Sequence, residues 1–265
     1  MFRTVYINLD KDTARRESME HQLTRLDIPC ERFSAIDGRI VDITHEYDEV
    51  GSAQNNAKPL TPGEIGCALS HKRCHTIALE QSYTLILEDD IILPDGFRGL
   101  VEREIEKNER SHSWEYLSFD YPPVGLIFIK HWFLSVRLYY RTHIQSRRII
   151  PKVIFWLYTV LKFFVLVPLV LFEAIRNDLY TLLGVHGPVI FFRSLYFAGC
   201  YLVTNEGAQK LLSLEDRIVY AADRIHNQAR IKKGLKVRAF CPLIAWQNRE
   251  IFGSSILGVD SIRYK

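Results

Sequence analysis

Residues 153–172 form a long apolar run, and this run constrains the fold more than any other feature of the sequence. It contains one charge, Lys162, and one proline, Pro168. A membrane-spanning helix needs about 20 such residues, but a lysine at the bilayer centre costs about 2.5–3.5 kcal/mol. A single crossing would also place residues 1–120 and 199–265 on opposite sides of the membrane, which is impossible if both build one sheet. The sequence therefore favours a segment that lies on the membrane surface or re-enters it.

The charge distribution around this run favours an anionic surface as its partner. Residues 121–172 contain seven basic residues and no acidic residue, whereas the rest of the chain holds 27 basic and 31 acidic residues, a formal charge of −4. Cations that share a helical stripe near aromatic side chains are attracted to anionic headgroups, each contributing about 1 kcal/mol. We therefore expect residues 126–172 to bind an anionic membrane, although Pro151 is expected to interrupt the helix. The stripe consists of Lys130, Arg137, Arg141, Arg148 and Lys152.

Two other interpretations of this segment are a buried hairpin and a nucleic-acid-binding face. A buried helical hairpin would also explain the apolar run, whereas a nucleic-acid partner is not expected because so apolar a segment does not suit a phosphate-binding face.

The first residues lack the apolar core and cleavage site of a signal peptide, and the five cysteines include no CxxC pair. These features predict a peripheral or monotopic protein on the cytoplasmic face of the inner membrane.

On both sides of this segment, strand candidates alternate with helix candidates. Apolar runs at residues 4–7 and 84–87 predict buried strands, and the Thr61–Glu64 capping box predicts a helix from Pro62 to about Glu80. The alternation predicts an α/β, Rossmann-type domain from residues 1–120 and 198–265, with 121–197 as a basic, apolar helical insertion. Further strand candidates are residues 114–119, 199–204 and 236–240, and further helices are expected to begin at Asp12 or Thr13, Asn205 and Ala222.

An acidic triplet, Glu88, Asp89 and Asp90, ends the second of these apolar runs. Ligands of open α/β sheets bind at the carboxyl ends of strands, where carboxylates can hold Mg²⁺ or Mn²⁺ against a diphosphate. Strand alternation would place Glu88 and Asp90 on one face and Asp89 on the other. We therefore expect Glu88 and Asp90 to be metal ligands, although a solvated turn is the other explanation for such a triplet.

Several sequence blocks flank the insertion in a recognisable order. The two most specific are LTPGEIGCALSH at residues 60–71 and LILEDD at residues 85–90. The others are residues 5–10, 15–16, 33–39, 198–203 and 207–212, Asp223, and residues 242–247 and 254–256. Together these blocks resemble glycosyltransferase family 25, the lipopolysaccharide and lipooligosaccharide galactosyltransferases, over roughly residues 1–120 and 198–258.

The resemblance implies a GT-A-like, nucleotide-sugar-binding fold, a UDP-sugar donor, Mn²⁺ or Mg²⁺, and a lipid-linked saccharide acceptor. It implies transfer of a hexose, with galactose favoured, and inversion of the anomeric configuration, which needs a general base. Asp223 is the favoured base, with Asp89 and Glu88 as rivals. Expected donor contacts are Asn8, Asp10, Arg15, Arg16, Asp37, Ser70 and His71, and Gln247 and Ser254 are expected to orient donor or acceptor.

A non-catalytic membrane-associated protein that keeps this fold is the alternative. The acidic triplet argues against it, because three adjacent carboxylates repel one another unless a cation is bound. A metal-dependent phosphohydrolase is less favoured, since no DxDx[TV] motif follows a strand.

Overall fold

The computed structural model describes residues 2–56, 59–120, 136–137, 140, 144–145, 149–190, 195 and 198–248. The chain divides into two units. The first unit contains residues 1–121, 187–190 and 194–265, and the second contains residues 122–186 and 191–193.

A seven-stranded mixed sheet is the centre of the first unit. Its order is β2-β1-β3-β7-β5-β8-β6, in which β7 runs antiparallel to both of its neighbours, and β4 and β9 form a separate antiparallel pair. The expected α/β, Rossmann-type fold is thus confirmed. The strands are β1 (Arg3–Asn8), β2 (Glu31–Ser34), β3 (Tyr83–Glu88), β4 (Ile91–Ile92), β5 (Tyr116–Ser118), β6 (Gly187–Val189), β7 (Cys200–Thr204), β8 (Val237–Cys241) and β9 (Trp246–Gln247).

Helices cover both faces of this sheet. The apolar positions of α1 and α4 join a core with Leu85 and Leu87 of β3, whereas α3 lies against the other face with α6 and α7. Because β3 is covered on both faces, Leu85, Ile86 and Leu87 are all fully buried, and each stabilises the fold by about 1.5–3 kcal/mol. The helices are α1 (Thr13–Arg25), α2 (Glu49–Asn55), α3 (Pro62–Ala78), α4 (Phe97–Ser111), α5 (Ile149–Leu183), α6 (Asn205–Leu212) and α7 (Ala222–Lys233).

The N-terminus of α3 forms as the sequence predicts. Thr61 Oγ1 accepts a hydrogen bond from the Glu64 amide at 3.3 Å, and Glu64 Oε2 accepts one from the Thr61 amide at 2.8 Å. Two otherwise unpaired amides at the helix start are thereby satisfied. This box fixes where α3 begins, and therefore which of its residues face the sheet.

The second unit contains α5, which is longer than the predicted apolar run and extends about 50 Å at 1.5 Å per residue. Its most apolar 18-residue window has a mean hydropathy of 2.3 and is only 7% buried, so the helix is long and apolar enough to cross a membrane by length and composition. Pro151 lies in the first turn of α5, where a proline is tolerated. Residues 146–148 lie outside the described residues, so the expected interruption at Pro151 stays a prediction. Within the expected cationic stripe, Lys130, Arg141 and Arg148 lie outside the described residues.

Candidate active site

The carboxyl end of β3 places Glu88 against α3. His71 Nε2 lies 3.3 Å from Glu88 Oε1, the Cys67 thiol donates to the same oxygen at 3.7 Å, and Gln247 Nε2 donates to Glu88 Oε2 at 3.0 Å. Burial opposes ionisation of Glu88, but His71, Cys67 and Gln247 together hold its pKa below the ordinary value. Glu88 is therefore an ionised, oriented carboxylate at the edge of the sheet.

Asp89 is buried on the other side of the strand end, where β1 and α1 supply its partners. Asn8 Nδ2 donates to Asp89 Oδ2 at 2.7 Å, and Arg15 Nη1 donates to Asp89 Oδ1 at 3.0 Å. Burial nevertheless raises the pKa of Asp89 above its ordinary value. Asn8 and Arg15, both predicted from the sequence, thus meet the acidic triplet through one carboxylate.

The expected face-sharing of Glu88 and Asp90 needs correction. The strand ends at Glu88, and Asp89 and Asp90 form a turn, so strand alternation does not extend to Asp90. Arg15 Nη1 lies 3.9 Å from Asp90 Oδ2, so one guanidinium faces both aspartates. The turn, and not strand alternation, therefore sets the position of Asp90 relative to Glu88.

A buried hydrogen-bonded chain leads away from Glu88 through His71. His71 Nδ1 and His75 Nε2 each lie 2.9 Å from the Tyr201 hydroxyl, and His75 Nδ1 lies 2.9 Å from Glu215 Oε2. His71, His75, Tyr201 and Glu215 are each at most 3% exposed. The structure therefore makes His71 a buried partner of Glu88, and it adds Tyr201 and Glu215, which sequence reasoning missed.

Two further aspartates lie at the same edge of the sheet. Asp223 is the second residue of α7, and burial, with the charge of Glu88, raises its pKa. Asp120 follows β5 and accepts the Gly199 and Cys200 amides at 2.9 and 3.0 Å; burial raises its pKa to about 7. Asp120 was not predicted, although its position directly after a strand candidate was a usable signal.

The remaining predicted donor contacts form hydrogen bonds or ion pairs with nearby side chains or backbone groups. Asp10 accepts from Arg32 and Ser34, and Arg16 pairs with Glu20, both on exposed surface. The Arg39 guanidinium, with Lys11, holds the pKa of Asp37 well below its ordinary range. Ser70 is fully buried: its hydroxyl accepts the Ile36 amide at 2.9 Å and donates to the Gly66 carbonyl at 2.8 Å. Ser70 therefore joins α3 to the segment after β2, and Ser254 lies outside the described residues.

This edge has the electrostatics of a cation site. The negative charge of Glu88 contributes to the raised pKa values of Asp89, Asp120 and Asp223. Such mutual repulsion in a buried setting disfavours ionisation unless a positive charge is added. The carboxylate oxygens of Glu88 and Asp90 suit Mg²⁺ or Mn²⁺, so the donor set fits the metal that the resemblance implies.

Comparison with known proteins supports the same family. Over 98 residues the chain is 35% identical to "Putative glycosyltransferase" of Haemophilus influenzae, covering 36% of this chain and 35% of that protein. It is 31% identical over 128 residues to "Procollagen galactosyltransferase 1" of Danio rerio and 31% over 124 residues to "Inactive glycosyltransferase 25 family member 3" of Homo sapiens, covering 45% and 42% of this chain. The chain spans about a fifth of the length of these two relatives, at 20% each.

The family model that matches is glycosyltransferase family 25 (LPS biosynthesis protein), and the match covers residues 1–226. It includes the insertion, where the sequence blocks show no resemblance, and ends before the tail blocks at residues 242–247 and 254–256. The resemblance seen in the sequence is confirmed, and the chain belongs to glycosyltransferase family 25.

Proposed function

We propose that this chain transfers a hexose, with galactose favoured, from a UDP-sugar to a lipid-linked saccharide such as lipopolysaccharide or lipooligosaccharide. The observation that supports the proposal is the set of carboxylates at the carboxyl edge of the sheet, Glu88, Asp89 and Asp90, of which Asp89 and Asp90 face Arg15 and Asp89 also contacts Asn8. The name of the zebrafish relative favours galactose as the transferred sugar.

The contacts of each carboxylate suggest its role in the transfer. A bound Mn²⁺ or Mg²⁺, held by Glu88 and Asp90, would supply positive charge to the departing diphosphate. Asp89 has both oxygens hydrogen-bonded by Asn8 and Arg15, so it suits a fixed orienting role better than proton transfer. Asn8, Arg15 and Asp89 would thus be held in position before a donor binds.

Asp223 is our proposed general base for an inverting transfer. It must accept the proton of the acceptor hydroxyl while that oxygen attacks the anomeric carbon and the bond to the diphosphate breaks. Burial raises its pKa, which makes its carboxylate a stronger base. Glu88 is a weaker candidate, because His71, Cys67 and Gln247 lower its pKa, which makes its carboxylate a weaker base.

We propose that the second unit attaches the protein to the cytoplasmic face of an anionic membrane, where a lipid-linked acceptor is found. The support is the exposed apolar surface of α5, on which Leu161, Phe164 and Val165 are each more than 60% exposed. Replacing Lys130, Arg137, Arg141 and Arg148 with Gln should release the chain from phosphatidylglycerol vesicles at moderate salt. Unchanged sedimentation with the vesicles would contradict the electrostatic part of this proposal.

The relative named inactive keeps a non-catalytic protein as the second candidate. The deciding experiment measures UDP-sugar hydrolysis with and without Mn²⁺ in the wild type and in Asp90→Asn, with Asp95→Asn as the matched control because that acid is exposed. We expect metal-dependent turnover that Asp90→Asn lowers at least about a hundredfold and Asp95→Asn leaves unchanged. Turnover that is absent from the wild type for every donor tested would favour the non-catalytic candidate.

A further inference from the structure

We propose that Cys67, His71 and Glu88 form a second metal site, a three-ligand site for a borderline ion such as Zn²⁺. Cys67 and His71 are four residues apart on α3 and so lie on one face of the helix, opposite Glu88 at the end of β3. The thiol sulfur, an imidazole nitrogen and a carboxylate oxygen all lie within 4.8 Å of one another.

The distances from Glu88 to the other two donors match a tetrahedral ion. Zinc–ligand bonds of 2.0–2.3 Å at tetrahedral angles place neighbouring nitrogen and oxygen donors about 3.3 Å apart, and sulfur and oxygen donors about 3.6 Å apart. The observed distances to Glu88 Oε1 are 3.3 Å from His71 Nε2 and 3.7 Å from Cys67 Sγ. Glu88 Oε1 is therefore already at a suitable distance from both donors, and the Cys67 sulfur and the His71 nitrogen lie within 4.8 Å of each other.

The groups around these three ligands are arranged as an outer shell. Tyr201 contacts His71 Nδ1, which leaves Nε2 directed at the site, and His75 and Glu215 fix that hydroxyl in turn. Gln247 holds the second oxygen of Glu88. Such partners orient the ligands of metal sites and strengthen binding.

The chemistry of the donor set distinguishes this site from the Glu88–Asp90 pair. A thiolate and an imidazole select zinc-like ions, whereas carboxylates alone suit Mg²⁺ or Mn²⁺. Three protein ligands leave one position for water, and binding transfers the Cys67 thiol proton to solvent. Cys67 is only partly buried, which gives the ion a path to its sulfur. Ion binding to the resting protein does not depend on sugar transfer.

The test is titration of the metal-stripped full chain with Co²⁺, the spectroscopic substitute for Zn²⁺, without any sugar nucleotide. We expect one Co²⁺ per chain to give a thiolate-to-metal charge-transfer band and tetrahedral visible bands, which Zn²⁺ abolishes. Cys67→Ser should remove the charge-transfer band, and Tyr201→Phe should weaken binding about 10–100-fold. Cys30→Ser, at an exposed cysteine, should retain both band and affinity.

Three outcomes would overturn the proposal: no saturable band in the wild type, a band that survives in Cys67→Ser, or a band lost in Cys30→Ser. Circular dichroism of each variant separates loss of a ligand from loss of the fold. Because no donor is present, failure of sugar transfer would leave this result unaffected.

Discussion

The contact between α3 and the segment after β2 is so close that one methyl group should disturb it. A Cβ on Gly66 would lie 2.3 Å from the Ile36 carbonyl oxygen and 2.6 Å from the Gly38 nitrogen. Both are backbone atoms, so no flexible side chain can move aside. Gly66→Ala must therefore separate the helix from this segment, which Ser70 ties to α3.

The magnitude follows from three contributions. Opening the contact by about 1 Å, to an ordinary separation of about 3.5 Å, resembles the overpacking that costs about 1–3 kcal/mol. Loss of the hydrogen bond from Ile36 to Ser70 destabilises the fold by about 1 kcal/mol more, and the higher helix propensity of alanine stabilises it by about 1 kcal/mol. We expect Gly66→Ala to lower the free energy of unfolding by about 1–3 kcal/mol.

Gly99→Ala in α4 is the matched control, because the same methyl group would have only Arg103 Nη1 near it, at 3.6 Å. Without a clash, alanine should raise the free energy of unfolding by up to about 1 kcal/mol. Urea unfolding of the full chain in mild detergent, followed by near-ultraviolet circular dichroism, measures both changes. If Gly66→Ala unfolds at the wild-type urea concentration, or Gly99→Ala loses as much stability, the close contact does not control stability as argued.

Three further predictions concern stability. Asp120 keeps its proton in the folded state to about pH 7, so the free energy of unfolding should fall by up to about 4 kcal/mol as pH rises from about 4 to about 7. Urea titrations at several pH values should show this pH dependence in the wild type and not in Asp120→Asn. The same pH dependence in both proteins would contradict a buried proton on Asp120. Thr61→Ala should lower the free energy of unfolding by about 0.5–2 kcal/mol in thermal melts, because the capping box is lost. The control Thr76→Ala, at an exposed position of the same helix, should lower it by less than about 0.5 kcal/mol. Equal losses in the two variants would show that the capping box does not contribute to stability. Arg15→Gln should lower the free energy of unfolding by about 3–5 kcal/mol, because Asp89 stays buried without its cation. Adding Asp89→Asn to that variant should recover part of the loss, as measured in a double-mutant cycle. If the losses of the two single variants simply add in the double variant, Arg15 and Asp89 do not stabilise each other.

Local sequence signals account for much of the fold. The apolar run before Glu88, the capping box at Thr61 and the predicted strands at residues 199–204 and 236–240 all appear close to their expected positions. Helix α4 was not predicted, although Phe97, Val101 and Ile105 recur every four residues and are all buried. The mixed direction of the sheet was also missed, because the direction of β7 depends on the path of the insertion that precedes it.

Site residues that are close together in the sequence could be predicted, whereas residues brought together only by strand pairing could not. Glu88, Asp89 and Asp90 are adjacent in sequence, and Asn8 and Arg15 lie in blocks that the family resemblance marked. Tyr201 reaches His71 only because β7 pairs with β3, which sets Tyr201 opposite Ile86. Asp120 likewise acquires its role from Gly199 and Cys200, which return next to it after the insertion. No local pattern encodes such long-range neighbours.

The strand pairing also limits how the apolar run could be placed in a membrane. The insertion leaves the sheet after β5 and returns through β6 and β7, and Ser118 pairs with Tyr201 in register. Both ends of the insertion are therefore held in one sheet, on one side of any membrane. A single crossing by α5 is incompatible with this arrangement, so the insertion crosses an even number of times or not at all. Because Lys162 in the middle of the helix opposes full burial in lipid, we propose a surface or re-entrant position for this segment.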